Sequence, residues 1–238
     1  MSTFRIGIAG GMGPMAGVRL QQLIIERTPA QRDQDHFEVV CFTNPQVPDR
    51  TESLATDGGE GFVSEIRRTI ATLVSAGASV IAIPCHTAHA RLDAIVVDVA
   101  VPIIDLAQLT VEWVIRQHGS GVHVGLLATD GTIRSEVYQR RAPAIAWMLP
   151  TVGEQRVIAS VIERTKAGER VSPHIFAPIA SRLIGDGAVA VVLACTELSL
   201  YASAFTQHRG RMIDPLQLLA DELVKRGIAA RRSARTVA

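Results

Sequence analysis

Apolar residues along the chain come in short β-branched runs, each followed by a stretch where they recur every three or four positions. Runs of the first kind predict buried strands and stretches of the second kind predict amphipathic helices. Residues 4–9 read as a strand, 10–16 as a glycine-rich turn and 16–27 as a helix. A second strand at 38–42 leads into the polar, proline-stiffened loop Asn44-Pro45-Gln46-Val47-Pro48-Asp49-Arg50-Thr51. Residues 52–60, with Asp57-Gly58-Gly59, read as a mobile flap, and 62–75 as a helix that stops at Gly77. The run 79–83 then ends in Pro84-Cys85, with a helix expected over 87–97, a short strand at 102–104 and a helix at 107–117.

The opening pattern now returns. Residues 122–127 read as a strand, 128–132 as a turn, 133–141 as a helix, 145–149 as a strand and 155–167 as a helix. The run 188–193 leads to Ala194-Cys195, and a final short strand and helix at 212–214 and 216–226 precede a tail, 231–238, expected to fray. Strand, turn, helix, strand, helix, strand, Cys thus occurs twice, a diverged internal duplication. Alternating strands and helices predict an α/β fold of two pseudo-symmetric αβ lobes with parallel sheets. The expected division is 1–101 plus 211–238 for the first lobe and 102–210 for the second, with the active-site cleft between them.

Cys85-His86-Thr87 and Cys195-Thr196-Glu197 occupy the same place in the two halves, where a strand gives way to a helix. In open α/β sheets ligands bind beyond the carboxyl ends of the strands. A thiol facing the first N–H groups of a helix is also expected to favour its thiolate. Two such thiols allow a disulfide, a metal site completed by His86 and His89, or a thiol–thiolate pair flanking a carbon acid. Separate lobes disfavour the first, and the absence of a C-x-x-C or H-x-x-x-H pair disfavours the second. The pair inverts a stereocentre by removing a proton from one face and delivering one to the other. The turn at Gly11, Gly13 and Ala16 formally matches a dinucleotide fingerprint, but the next strand ends in Thr43-Asn44-Pro45 and lacks the acidic residue that holds a ribose.

Composition narrows the field. A 47% hydrophobic and 20% charged chain of 238 residues is globular. The formal charge of +1 is spread along it and only 4% of residues are aromatic, so neither nucleic acid nor an anionic membrane is an expected partner. The N-terminal residues lack the pattern of a signal peptide and no apolar run suggests a membrane span, and three cysteines suit a reducing cytoplasm. Cys41, inside a strand, is read as a small buried residue.

Gly10-Gly11-Met12-Gly13-Pro14, the Asn44–Thr51 loop, Pro84-Cys85-His86-Thr87-Ala88-His89, Leu126-Leu127-Ala128-Thr129 with Thr132, and Ala194-Cys195-Thr196-Glu197-Leu198 together resemble the cofactor-independent aspartate/glutamate racemase superfamily, most nearly its aspartate racemases. The resemblance implies a homodimer that racemises aspartate without cofactor or metal. It makes Cys85 and Cys195 the acid/base thiols, Cys85 facing the α-proton of the D-enantiomer and Cys195 that of the L-enantiomer. Arg50 and Lys166 would hold the side-chain carboxylate, while Met12, Thr87, Thr129 and Thr196 would line the α-carboxylate and amino pocket. Glu197 and His89 would support the site. His86 stands where the family usually has Asn, so it is expected either to charge and activate Cys85 or to narrow the pocket. Glutamate or several amino acids as substrates, a cysteine-dependent isomerase such as a maleate isomerase, and a dicarboxylate-binding protein are the alternatives.

Overall fold

The computed structural model describes residues 4–208 and 210–236. Its described residues form two sheets of four parallel strands flanked by helices, an α/β fold. In chain order the first half contains β1 (Arg5–Gly10), α1 (Pro14–Arg27), β2 (Glu38–Thr43), α2 (Arg50–Thr56), α3 (Glu60–Ser75), β3 (Val80–Ala82), α4 (Leu92–Ile95), β4 (Ile103–Ile104) and α5 (Leu106–His118). The second half contains β5 (His123–Ala128), α6 (Asp130–Arg134), β6 (Ala146–Met148), α7 (Val152–Lys166), α8 (Ala177–Gly185), β7 (Ala190–Ala194), α9 (Thr196–Ser199), β8 (Met212–Ile213) and α10 (Pro215–Thr236). The strand orders are β2-β1-β3-β4 and β6-β5-β7-β8, so the duplication extends to topology.

The first compact unit takes in the described residues of Met1–Pro84, Arg91–Leu106 and Leu216–Ala238, and the second takes in Cys85–Ala90 and Ala107–Pro215. In the first, Leu20, Leu23 and Ile24 of α1 and Phe62, Ile66, Ile70 and Leu73 of α3 are buried at helical spacing and flank the apolar β1. In the second, Ile158, Val161 and Ile162 of α7 and Ile179 and Leu183 of α8 pack in one core with Leu127, Val191 and Leu193.

Several elements differ from expectation. Ile81 and Ala82 pair with Ile103 and Ile104, so β4 belongs to the first sheet, whereas Val191 and Val192 pair with Met212 and Ile213, so β8 belongs to the second. Cuts at 101/102 and 210/211 would separate each edge strand from its sheet. Residues 50–56 are helical because the Asp49 side chain caps the amides of Thr51 and Glu52, at 2.8 and 3.1 Å. The stretch 87–97 is a 3₁₀ turn, Thr87–Arg91, and then the single turn of α4. Residues 135–141 coil through turns in place of a longer helix. Helix α8 is not among the expected elements, although its Ile179, Ala180 and Leu183 are buried at helical spacing; its Pro178 sits in the first turn, where a missing N–H costs nothing. Finally, α10 continues to Thr236 where fraying was expected from residue 231; residues 237 and 238 of that tail lie outside the described residues.

Candidate active site

Cys85 and Cys195 both lie just beyond the third strand of their sheet's order, Cys85 after β3 and Cys195 after β7. Both are buried and free, and both belong to the second unit, not to separate lobes. Cys195 is the N-cap of α9, a helix of only four residues. Its Sγ donates to Glu197 Oε2 at 3.0 Å, and Thr196 Oγ1 donates to the same oxygen at 3.3 Å. Burial, then the Glu197 charge, then that hydrogen bond push the Cys195 thiol well above its ordinary range. The expected thiolate preference is therefore reversed at Cys195, because one turn of helix with a carboxylate beside the sulfur does not stabilise a second negative charge. Lys166 acts on Cys195 in the opposite sense from the exposed end of α7.

His89 is buried and its Nδ1–H donates to the carbonyl of Cys85 at 2.7 Å, which holds the backbone at the strand end. Its own carbonyl accepts from Arg141 at 3.2 Å. Thr87, Thr129 and Thr132 form a ring of hydroxyls, with Oγ1 separations of 2.9, 3.0 and 3.0 Å. Thr129 also caps α6 through the amide of Thr132 at 3.2 Å, so the backbone fixes the ring. His86 is 2% exposed, and burial followed by the proximity of His89 depresses its pKa to about 3. The reading of a charged imidazole beside Cys85 is thereby corrected: His86 is neutral. Its Nδ1 lies 2.8 Å from the hydroxyl of Tyr138, on which its ring stacks.

Met12 and Arg50 belong to the first unit, and both are buried. Met12 follows Gly11, whose φ of +104° and place against Asn44 leave no room for a side chain: a Cβ would lie 2.1 Å from the Asn44 carbonyl oxygen. Arg50 opens α2, and one guanidinium nitrogen donates to the carbonyls of Val47 and Pro48 at 3.3 and 3.0 Å. Its Nε is buried without a hydrogen-bond partner among the described residues. Cys41 is half-buried, not buried.

The second unit thus gathers Cys85, His86, Thr87, His89, Thr129, Lys166, Cys195, Thr196 and Glu197. Sequence reasoning missed Tyr138, which faces His86 from 52 positions away in a stretch with no helical period. Its one signal is a tyrosine among apolar and arginine residues, weak by itself. A cleft of about 380 Å³ opens beside α6 and α7, lined by Ile133, Arg134, Leu149, Val152, Gln155 and Arg156, and no predicted site residue lines it. Among the described residues no group of three or more His, Cys, Asp or Glu side chains is placed to hold a metal ion, and no helix is long and apolar enough to cross a membrane.

Residues 9–223 match the model of the family described as Asp/Glu/Hydantoin racemase. Among solved structures the chain is similar to the aspartate racemase of Picrophilus torridus, with a TM-score of 0.79 and 27% identity over 94% of each chain. It shares the fold of glutamate racemase from Francisella tularensis subsp. tularensis, with a TM-score of 0.68 and 20% identity over 97% of this chain and 83% of that one. A stretch of 87 residues is 30% identical to an uncharacterised protein of Pectobacterium carotovorum subsp. carotovorum, covering 35% of this chain and 58% of that protein's length. A family match that begins in β1 and ends in α10 takes in both halves of the duplication, and the chain belongs to the Asp/Glu/Hydantoin racemase family of isomerases.

Proposed function

We propose that the chain interconverts L- and D-aspartate with Cys85 and Cys195 as its acid/base pair. The observation that carries this reading is the matched placement of two free, buried thiols beyond β3 and β7, each followed within two residues by a threonine. Starting from D-aspartate, the Cys85 thiolate takes the α-proton, and the electron pair left on Cα is delocalised into the α-carboxylate. The Cys195 thiol then delivers its proton to the opposite face, giving L-aspartate, a Cys85 thiol and a Cys195 thiolate. The reverse reaction runs from that second state. The carboxylate of Glu197 keeps Cys195 protonated and so supports its part as the acid in the first direction. Thr87, Thr129, Thr196 and His86 supply hydrogen bonds to the α-carboxylate and amino group, and the resemblance to the family adds Met12 to the substrate-binding residues.

One observation favours a substrate with a side-chain carboxylate, and a second favours aspartate among such substrates. Arg50 is a buried guanidinium with an unpaired Nε, suited to the planar fork of a carboxylate, and the similar Picrophilus torridus protein is an aspartate racemase. Lys166, exposed at the end of α7, is the second cation that the resemblance to the family assigns to a substrate carboxylate. We further propose a cytoplasmic homodimer: unpaired cysteines suit a reducing compartment, and the resemblance to the family carries the dimer, which sedimentation equilibrium tests.

Proton NMR of the protein in D₂O, without cofactor, tests the reading. The α-proton signals of L- and D-aspartate are expected to disappear faster than that of L-glutamate. Cys85→Ala and Cys195→Ala are each expected to lower racemisation by at least about 10²-fold, the lower end of what general acid–base groups contribute. Either variant turning over at the wild-type rate in both directions removes the mechanism.

A further inference from the structure

His86, which the resemblance sets where the family usually has Asn, is a ring that carries a single N–H when neutral, so its usefulness depends on which nitrogen holds the proton. One nitrogen is committed. Nδ1 lies 2.8 Å from Tyr138 Oη, and the two rings stack with centroids 5.9 Å apart and planes 29° apart. Tyr138 is fully buried, and Trp147 braces it at 5.3 Å while donating its indole N–H to the Ala142 carbonyl. The two segments are also tied together, since Arg141 donates to the carbonyls of Val137 and His89, at 2.7 and 3.2 Å. The other ring nitrogen is in the opposite condition: Nε2 is buried and has no hydrogen-bond partner among the described residues.

A phenol is a stronger donor than a neutral imidazole N–H, and an imidazole lone pair is a stronger acceptor than a phenol oxygen. The favoured bond therefore runs from Tyr138 O–H to Nδ1, which leaves the proton on Nε2. A buried N–H with no protein partner loses a hydrogen bond to water on folding, unless a ligand supplies an acceptor. We propose that Tyr138 is a positioning residue that fixes His86 as its Nε2–H tautomer and so reserves that N–H for a carboxylate oxygen of the substrate. The ligand in this proposal rests on the racemase reading, whereas the tautomer does not. With Nε2–H as donor the imidazole provides the donating half of an amide, which is how a histidine serves at this position without becoming charged.

Nitrogen-15 NMR of protein labelled at histidine reads the tautomer directly, with His86 assigned by the signals lost in His86→Asn. In the wild type without substrate, Nε2 is expected to carry the proton, and Tyr138→Phe is expected to move both ring shifts toward a mixture of tautomers. A wild-type Nδ1–H tautomer, or ring shifts unchanged in Tyr138→Phe, overturns the proposal whether or not the protein racemises aspartate. Adding equilibrated DL-aspartate is expected to shift Nε2; an Nε2 signal unmoved at saturating aspartate, in protein that exchanges the α-proton, overturns the ligand assignment alone. In kinetics, Tyr138→Phe is expected to raise KM about tenfold, the loss of one hydrogen bond, with a smaller effect on kcat. Combined with His86→Asn it is expected to add less than about twofold, because it acts through a ring no longer present. Full additivity of the two substitutions would make Tyr138 a packing residue only.

Discussion

The Glu197 carboxylate accepts hydrogen bonds from the thiol before it and the hydroxyl of Thr196, and it is only 5% exposed, so its charge is felt strongly by the sulfur. Glu197→Gln removes that charge while keeping the side chain's shape. The Cys195 thiol is then expected to ionise more readily, and alkylation of Cys195 at pH 8, followed by mass spectrometry, is expected to speed up; an unchanged rate would leave burial as the sole cause of its raised pKa. His86 carries a second titration effect. Its folded pKa, depressed to about 3, lies below the unfolded value near 6.5, so the unfolded chain binds more protons between these limits. The contribution to stability is complete above about pH 6.5 and falls away as pH drops, with a limiting slope of roughly 1.4 kcal/mol per pH unit. Urea unfolding at pH 7.5 and 5 checks this: the wild type is expected to lose more stability than His86→Asn. The neighbours of the cysteines were legible because they adjoin them in sequence. The charge on His86 and the role of Tyr138 were not, since one depends on burial and the other on a partner 52 residues distant.

Short helices at the strand ends set the orientation of the candidate residues. The carboxylate of Asp49 accepts from two of the amides that open α2, and Arg50 is the first residue of that helix. Asp49→Ala is expected to cost about 1 kcal/mol of stability, and to raise KM for aspartate more than it lowers kcat, because it loosens Arg50 without touching a thiol. A kinetic profile identical to the wild type would separate Arg50 from the substrate. The central strands β1, β3, β5 and β7 are easily read from their apolar runs, since burial on both faces leaves almost no polar interruption. The ends of helices were harder. The Asp49 cap starts α2 where a loop and a flap are expected, and residues 87–95 break into a 3₁₀ turn and one α turn that share a single apolar pattern. The 3₁₀ turn keeps the backbone N–H of His89 on the carbonyl of His86, at 3.0 Å, so the residues that follow Cys85 are fixed by local hydrogen bonds.

The duplication is visible in the order of elements, but the chain does not divide at its midpoint. Strand β4 ends the first sheet and the α5 that follows belongs almost wholly to the second unit, while β8 ends the second sheet and α10 belongs to the first. Leu216, Leu219, Ala220, Leu223 and Val224 of α10 are buried, Asp221 pairs with Arg27 at 2.5 Å, and the Arg231 guanidinium lies 4.0 Å from the centre of the Phe37 ring. At about 1.5–3 kcal/mol for each large buried side chain, removing α10 takes away a contribution comparable to the whole stability of a typical domain. A chain ending at Asp214 is expected to lose amide protection in β1 and β3, measured by hydrogen exchange; retained protection there would make α10 a surface addition. This exchange of helices has a consequence for biosynthesis. On the ribosome, every residue of the second unit has been polymerised by the time Pro215 is added, whereas the first unit, begun earlier, still lacks α10. The half of the protein that is translated first is therefore the half that is completed last, and until α10 emerges the nascent chain holds an unfinished core that chaperones have reason to cover.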